Sequence, residues 1–235
     1  MKKGKNKNEK AVIHNVHLLD ASGSMAGAKY ANAIEGINTE LASLKKNDEV
    51  IYTQTIVEFD SMEQNSERIT EHYFMEPIEN CKAFKGRGAE GNTPLYQAAG
   101  YLIEKLLRKV RHGERVILTI FTDGYHNCNW GKYGHKGALN ELIADAQENH
   151  NFTITFMGTK EDTQKVVQDL GISWSNTMSH TNTPDSISKA YKSRGMSLTS
   201  YSSSVANEDL MSTQTFFTNT GSTSTTTTTT TNPDD

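Results

Sequence analysis

The chain has 235 residues, of which 35% are hydrophobic and 22% charged, with a formal net charge of -4. That length fits one ordinary domain with an extension, and near-neutrality argues against nucleic acid or a membrane surface as a partner. No apolar run of about 18 residues occurs, so no membrane-spanning helix is expected.

The chain opens with Lys2, Lys3, Lys5, Lys7 and Lys10 among Asn and Gly. No apolar stretch follows them, as a secretory leader would require, so residues 1–10 read as a flexible basic terminus. The two cysteines, Cys81 and Cys128, make no disulfide framework and read as reduced thiols of a cytoplasmic protein.

The first strand is "AVIHNVHLLD" (11–20), followed by a helical face of Tyr30, Ile34, Ile37, Leu41 and Leu44. "EVIYTQTIVEF" (49–59) and "ERITEHYFMEP" (67–77) alternate as strands, the second charged as an edge strand should be. A second helix follows from Leu95, Ala98, Ala99, Leu102, Ile103, Leu106 and Val110, with Gly113 expected to end it. "RVILTIFTD" (115–123) is the most continuously apolar run, as a central strand buried on both faces would be. Beyond it come a helical face of Leu139, Leu142, Ile143 and Ala146, the strand "NFTITFMGT" (151–159) and a short helix through Val166, Val167 and Leu170. A sixth strand within "ISWSNTMSH" (172–180) and a last helix over "DSISKAYKSRG" (185–195) complete the pattern.

Strands alternating with helices predict an α/β fold with a doubly wound, mostly parallel sheet and helices on both faces. The "DSMEQNS" link (60–66) is too short for a helical crossover, so strands two and three form an antiparallel hairpin at one edge. The domain is expected over 11–200. A Thr/Ser-rich tail over 205–235 has too little apolar surface to order itself, "TQTFF" (213–217) being its one sticky point.

"LLDASGSMAG" (18–27) follows the first strand. It lacks the glycines of a serine-hydrolase elbow and the Gly-Lys-Ser/Thr of a phosphate loop. Asp20, Ser22 and Ser24 instead offer oxygen ligands to a hard cation. Asp123 ends the fourth strand, which lies beside the first at the switch point of a doubly wound sheet, where ligands bind. Thr93, in "GNTPL", opens the preceding helix at the same edge. Taken alone, Thr93 before Pro94 would be a helix cap and Asp123-Gly124 a turn.

Together, Asp-x-Ser-x-Ser, Thr93 and Thr-Asp-Gly resemble the metal-ion-dependent adhesion site of von Willebrand factor type A (VWA) domains, across roughly residues 11–195. The resemblance implies that Ser22, Ser24 and Thr93 ligate Mg²⁺, with Mn²⁺ or Ca²⁺ as substitutes. Asp20 and Asp123 would act directly or through water. Neutral hydroxyls leave such an ion under-neutralised, so an Asp or Glu of a partner protein can fill its open position. Such copies are often scaffolds, or adaptors of a separate AAA+ (MoxR-type) ATPase, and short ones are frequent in bacteria and their phages.

The flanking loops (80–92 and 124–135) are expected to form a recognition rim through Lys82, Lys85, Arg87, Tyr125, His126 and Trp130. His126, Cys128 and His135 match no zinc spacing. The alternative to a non-enzymatic binding module is a Mg²⁺-dependent phosphohydrolase using Asp20, with His126 as its one candidate base. A further idea is that Asp234 or Asp235, on the flexible tail, caps the metal.

Overall fold

The computed structural model describes residues 10–63, 66–124, 126–128, 130–207, 209 and 215–217. Its six-stranded sheet runs β3-β2-β1-β4-β5-β6, with β1 (Val12–Asp20), β2 (Ile51–Glu63), β3 (Ser66–Pro77), β4 (Arg115–Phe121), β5 (Phe152–Gly158) and β6 (Thr177–Ser179). All pairings are parallel except the β2–β3 hairpin, as the short link requires. Strands β4 and β5 are buried on both faces along almost their whole length, which is why β4 reads as a nearly continuous apolar run and why the alternating threonines of β5, Thr153 and Thr155, lie buried.

One face of the sheet packs α1 (Ala28–Leu44) and α5 (Pro184–Ala206); the other packs α2 (Leu95–Leu107), α3 (Lys136–Asn149) and α4 (Lys160–Leu170). Tyr30, Ala33, Ile37, Leu41 and Leu44 recur every third or fourth position and form the buried stripe of α1. Thr159 caps α4 by accepting the Asp162 N–H, and Gly171, at φ 68, ends it in the left-handed conformation.

Two helix ends differ from the sequence pattern. Helix α2 stops at Leu107 rather than near Gly113, because Lys109 N–H turns back to the Leu106 carbonyl at 2.8 Å and tightens the last turn. Helix α5 continues through Gly195 to Ala206, held by Ile187, Tyr191, Leu198, Tyr201 and Val205 against the core. Phe216 and Phe217 are also buried there: Phe216 N–H donates to Asn176 Oδ1 at 2.8 Å and Phe217 N–H to the Ser175 carbonyl at 2.9 Å. Asp234 and Asp235 lie outside the described residues.

Under α1 and α5 the sheet carries a buried polar network. Arg194, fully buried on α5, donates to Glu40 on α1, to Asn15 Oδ1 at 2.8 Å and to Thr119 Oγ1 at 2.6 Å. Burial pushes the Glu40 carboxyl up, but Arg194, His17 and Asn15 outweigh it and hold it at about 2. The network ties α1, α5, β1 and β4 together below the candidate site.

Candidate metal and partner-binding site

Asp20 is the last residue of β1 and fully buried, with both oxygens engaged. Oδ1 accepts the Ser22 backbone N–H at 2.7 Å, and Oδ2 accepts the Thr122 hydroxyl at 2.5 Å. Burial pushes its pKa up to about 6, against the pull of those two hydrogen bonds, so it remains an anion at neutral pH.

The chain then curls through a 3₁₀ turn (Gly23–Met25), and Ser22 Oγ and Ser24 Oγ come to 3.1 Å of each other. Adjacent corners of an octahedron with Mg–O bonds of about 2.1 Å are about 3 Å apart. Asp123 follows β4, with its side chain 1% exposed. Its Oδ1 accepts the Ser24 hydroxyl at 2.6 Å, and its Oδ2 accepts from the Lys29 ammonium and, at 3.4 Å, from the Asn182 amide.

Thr93 reaches the same edge from the β3–α2 loop. Its N–H donates to Asn127 Oδ1 at 2.9 Å, and its carbonyl accepts the Asn127 N–H at 3.3 Å. Helix α2 begins only at Leu95 and no side chain caps it, so the Thr93 hydroxyl does not take the cap role that a Thr-Pro pair invites. A Cβ built on Gly124 would lie 3.6 Å from Ser24 Oγ and 3.9 Å from Thr93 Oγ1. The two hydroxyls therefore flank one small space that glycine leaves open.

Two backbone bonds clamp the Thr93 loop to the Asp20–Ser24 turn: Gly23 N–H to the Gly91 carbonyl at 2.9 Å, and Glu90 N–H to the Ala21 carbonyl at 2.8 Å. Gly91 sits at φ 77, and a Cβ there would lie 2.2 Å from the Ser61 carbonyl oxygen, so this position requires glycine.

The assembled donors are hydroxyls and carboxylates, which suit a hard cation such as Mg²⁺, Mn²⁺ or Ca²⁺. Among the described residues, no group of three or more His, Cys, Asp and Glu side chains could hold a metal. Any metal held by Asp20 and Asp123 therefore depends on the hydroxyls.

The rim residues are dispersed. Lys82 bonds through its backbone to Tyr73 Oη, and Tyr73 pairs with Ile56 on β2. That register lies three residues below the Asp20–Phe59 pair, about 10 Å along the strand, so Lys82 flanks the sheet edge rather than the site. Lys85 is exposed on the same loop. Arg87 turns inward to Asp60 Oδ2 at 2.7 Å, and its backbone N–H donates to Tyr30 Oη at 3.0 Å. Its charge serves to hold the loop. His126 stacks on Tyr96 at 3.9 Å and accepts the Tyr96 N–H at the start of α2; burial holds its pKa down at about 4. Trp130 donates to Glu67 on β3 at 3.2 Å. Tyr125 lies outside the described residues.

Three residues of the site were not singled out from sequence, Lys29, Asn127 and Asn182, and Thr122 entered only as part of the Thr-Asp-Gly run. Lys29 did leave a signal, since a lysine in the first turn of a helix opposes the helix dipole unless an anion is nearby. Asn182, in a loop at φ 59, left none.

No family model and no curated protein sequence matches the chain. Solved structures do. A von Willebrand factor type A protein from Catenulispora acidiphila superposes with TM-score 0.52 and 15% identity over 80% of this chain and 43% of that one. The pilus adhesin SpaC from Lactobacillus rhamnosus GG gives 0.60 and 13% over 80% and 30%. The SpRpn10 VWA domain gives 0.53 and 13% over 75% and 92%. The chain thus spans less than half the length of the first two and most of the third. It has a VWA-like α/β fold. Among the described residues, no helix is long and apolar enough to cross a membrane.

Proposed function

We propose that the chain is a non-enzymatic, divalent-cation-dependent protein-binding module whose site recognises an Asp or Glu of a partner protein. One observation carries this reading: Ser22 Oγ and Ser24 Oγ stand 3.1 Å apart, and Ser24 is bonded in turn to a buried Asp123. Ser22, Ser24 and Thr93 would hold Mg²⁺, with Mn²⁺ or Ca²⁺ able to replace it, while Asp20 and Asp123 balance part of its charge. When bound, the ion supplies a positive charge with a coordination position for an outside carboxylate. Asp20 orients the turn through the Ser22 N–H, and Asn127 fixes the Thr93 backbone. The fold's likeness to the adhesin SpaC and to VWA domains lends support at the level of fold.

Binding is favoured over an Asp20-dependent phosphohydrolase by the state of His126. Its Nδ1 accepts the Tyr96 N–H at 3.3 Å, and with a pKa of about 4 it is a weak base at neutral pH. A separate AAA+ ATPase is a narrower partner within the same reading.

The test is a tagged pull-down from native lysate in Mg²⁺ and again in EDTA, with Asp20→Ala alongside. A protein retained by the wild type only in Mg²⁺ supports the reading and identifies the partner. Equal capture in all three arms overturns it, as does Mg²⁺-dependent turnover of a generic phosphate ester that Asp20→Asn abolishes.

A further inference from the structure

We propose that Lys29 is a built-in counter-cation of this site, competing with the divalent ion for Asp123 and lowering the site's affinity for metal. The inference rests on the metal-binding reading above and adds how tightly the ion is held. Its ground is the Lys29–Asp123 ion pair, in which the lysine side chain is 23% exposed and the aspartate side chain 1% exposed. Lys29 therefore reaches from the surface of α1 to a buried carboxylate.

That carboxylate has two ends with different duties. Oδ1 faces Ser24, itself paired with Ser22, and so belongs to the hydroxyl cluster. Oδ2 faces Lys29 and Asn182. A single negative charge thus serves both an ammonium and the donors of the metal. With Lys29 in place, the charge of Asp123 is already neutralised. A divalent ion among Ser22, Ser24 and Thr93 then shares Asp123 with the ammonium and draws its counter-charge chiefly from Asp20, and it also meets a like charge on the far side of the same carboxylate.

The position of Lys29 in the helix strengthens the point. It is the second residue of α1, whose first turn contains no acidic side chain. A cation there opposes the positive end of the helix dipole, so the lysine is stabilised by Asp123 rather than by its own helix. The pair has a functional consequence. A site that holds its metal weakly alone holds it better once a partner carboxylate restores the missing charge, so ion and partner bind with positive coupling. Lys29 would in this way tie metal retention to partner engagement.

The experiment is Mn²⁺ titration followed by electron paramagnetic resonance on wild type, Lys29→Met and Lys29→Arg, with thermal unfolding in EDTA. Lys29→Met should bind Mn²⁺ roughly tenfold more tightly than wild type, and Lys29→Arg should resemble wild type. The sign is diagnostic, because structural damage at the site lowers affinity. In EDTA, Lys29→Met should unfold at a lower temperature than wild type, since Asp123 loses its partner, and should recover more on adding Mn²⁺. If Lys29→Met folds poorly, Lys29→Gln carries the same prediction. Equal or weaker Mn²⁺ binding in the neutral variants, with wild type binding normally, overturns the role of Lys29 alone. Absence of binding in all proteins overturns the metal reading and this inference with it.

Discussion

The Thr122 hydroxyl donates to Asp20 Oδ2 at 2.5 Å, joining the carboxyl ends of the two central strands, β1 and β4. The Thr122 hydroxyl oxygen in turn accepts the Gly124 N–H at 3.0 Å, so one side chain shapes both loops of the site. Thr122→Val keeps the shape and removes these bonds, leaving a buried carboxylate oxygen unpaired. The expected loss is about 1–3 kcal/mol of stability in urea unfolding, accompanied by weaker Mn²⁺ binding. Unchanged stability and affinity would show that the bond has no such role.

Two glycines separate fold from site. Gly91→Ala must displace the Ser61 carbonyl and adopt a left-handed backbone, at a cost of about 2–3 kcal/mol, read by urea unfolding. Gly124 has no positive φ and no close backbone neighbour, so Gly124→Val should leave the unfolding midpoint nearly unchanged. Its side chain would start between Ser24 and Thr93, and calorimetric titration should find metal binding abolished. Retained binding in that variant would move the metal away from these hydroxyls.

The Arg194–Glu40 pair below the site gives a double-variant test. Arg194→Met leaves the buried Glu40 carboxylate with only His17 and Asn15 as partners and without its guanidinium, and should cost about 3–5 kcal/mol in chemical unfolding. Adding Glu40→Leu removes the stranded charge and should restore much of that loss. Additive losses would contradict the coupling.

The histidines set a pH dependence. Burial holds His17 below the ordinary value of 6.5, and holds His126 at about 4. His126 therefore stays neutral in the folded protein until pH nears 4, and His17 charges less readily than a free imidazole, while the unfolded chain protonates both near pH 6.5. Because the unfolded state then binds more protons, stability is full above that pH and is lost as pH falls from about 6.5 toward 4. Asp20, pushed up to about 6, works in the opposite sense below that pH, so the readout is the difference: between about pH 7 and 5 the urea midpoint of wild type should fall relative to that of His126→Gln, which cannot charge.

Much of this architecture was legible because strands buried on both faces leave continuous apolar runs, "DASGS" and "TDG" put oxygen donors at the ends of two of them, and "GNTP" puts another just before α2. The hairpin followed from a link too short to cross the sheet. What was missed depended on distant packing. The second half of α5 is rich in Ser and Thr, with modest helix propensity, and stands because Leu198, Tyr201 and Val205 reach the core. Arg87 looked like a free rim charge, yet Glu58 and Asp60 are buried on one face of β2 and draw it inward. Alternation along "IVEFD" already put both carboxylates on that face, and buried carboxylates need cations.

The most direct test of the metal site is anomalous diffraction from crystals grown in Mn²⁺. The account predicts one peak per chain, about 2.1–2.2 Å from both Ser22 Oγ and Ser24 Oγ and adjacent to Thr93. A peak elsewhere, or none at saturating Mn²⁺, would contradict it.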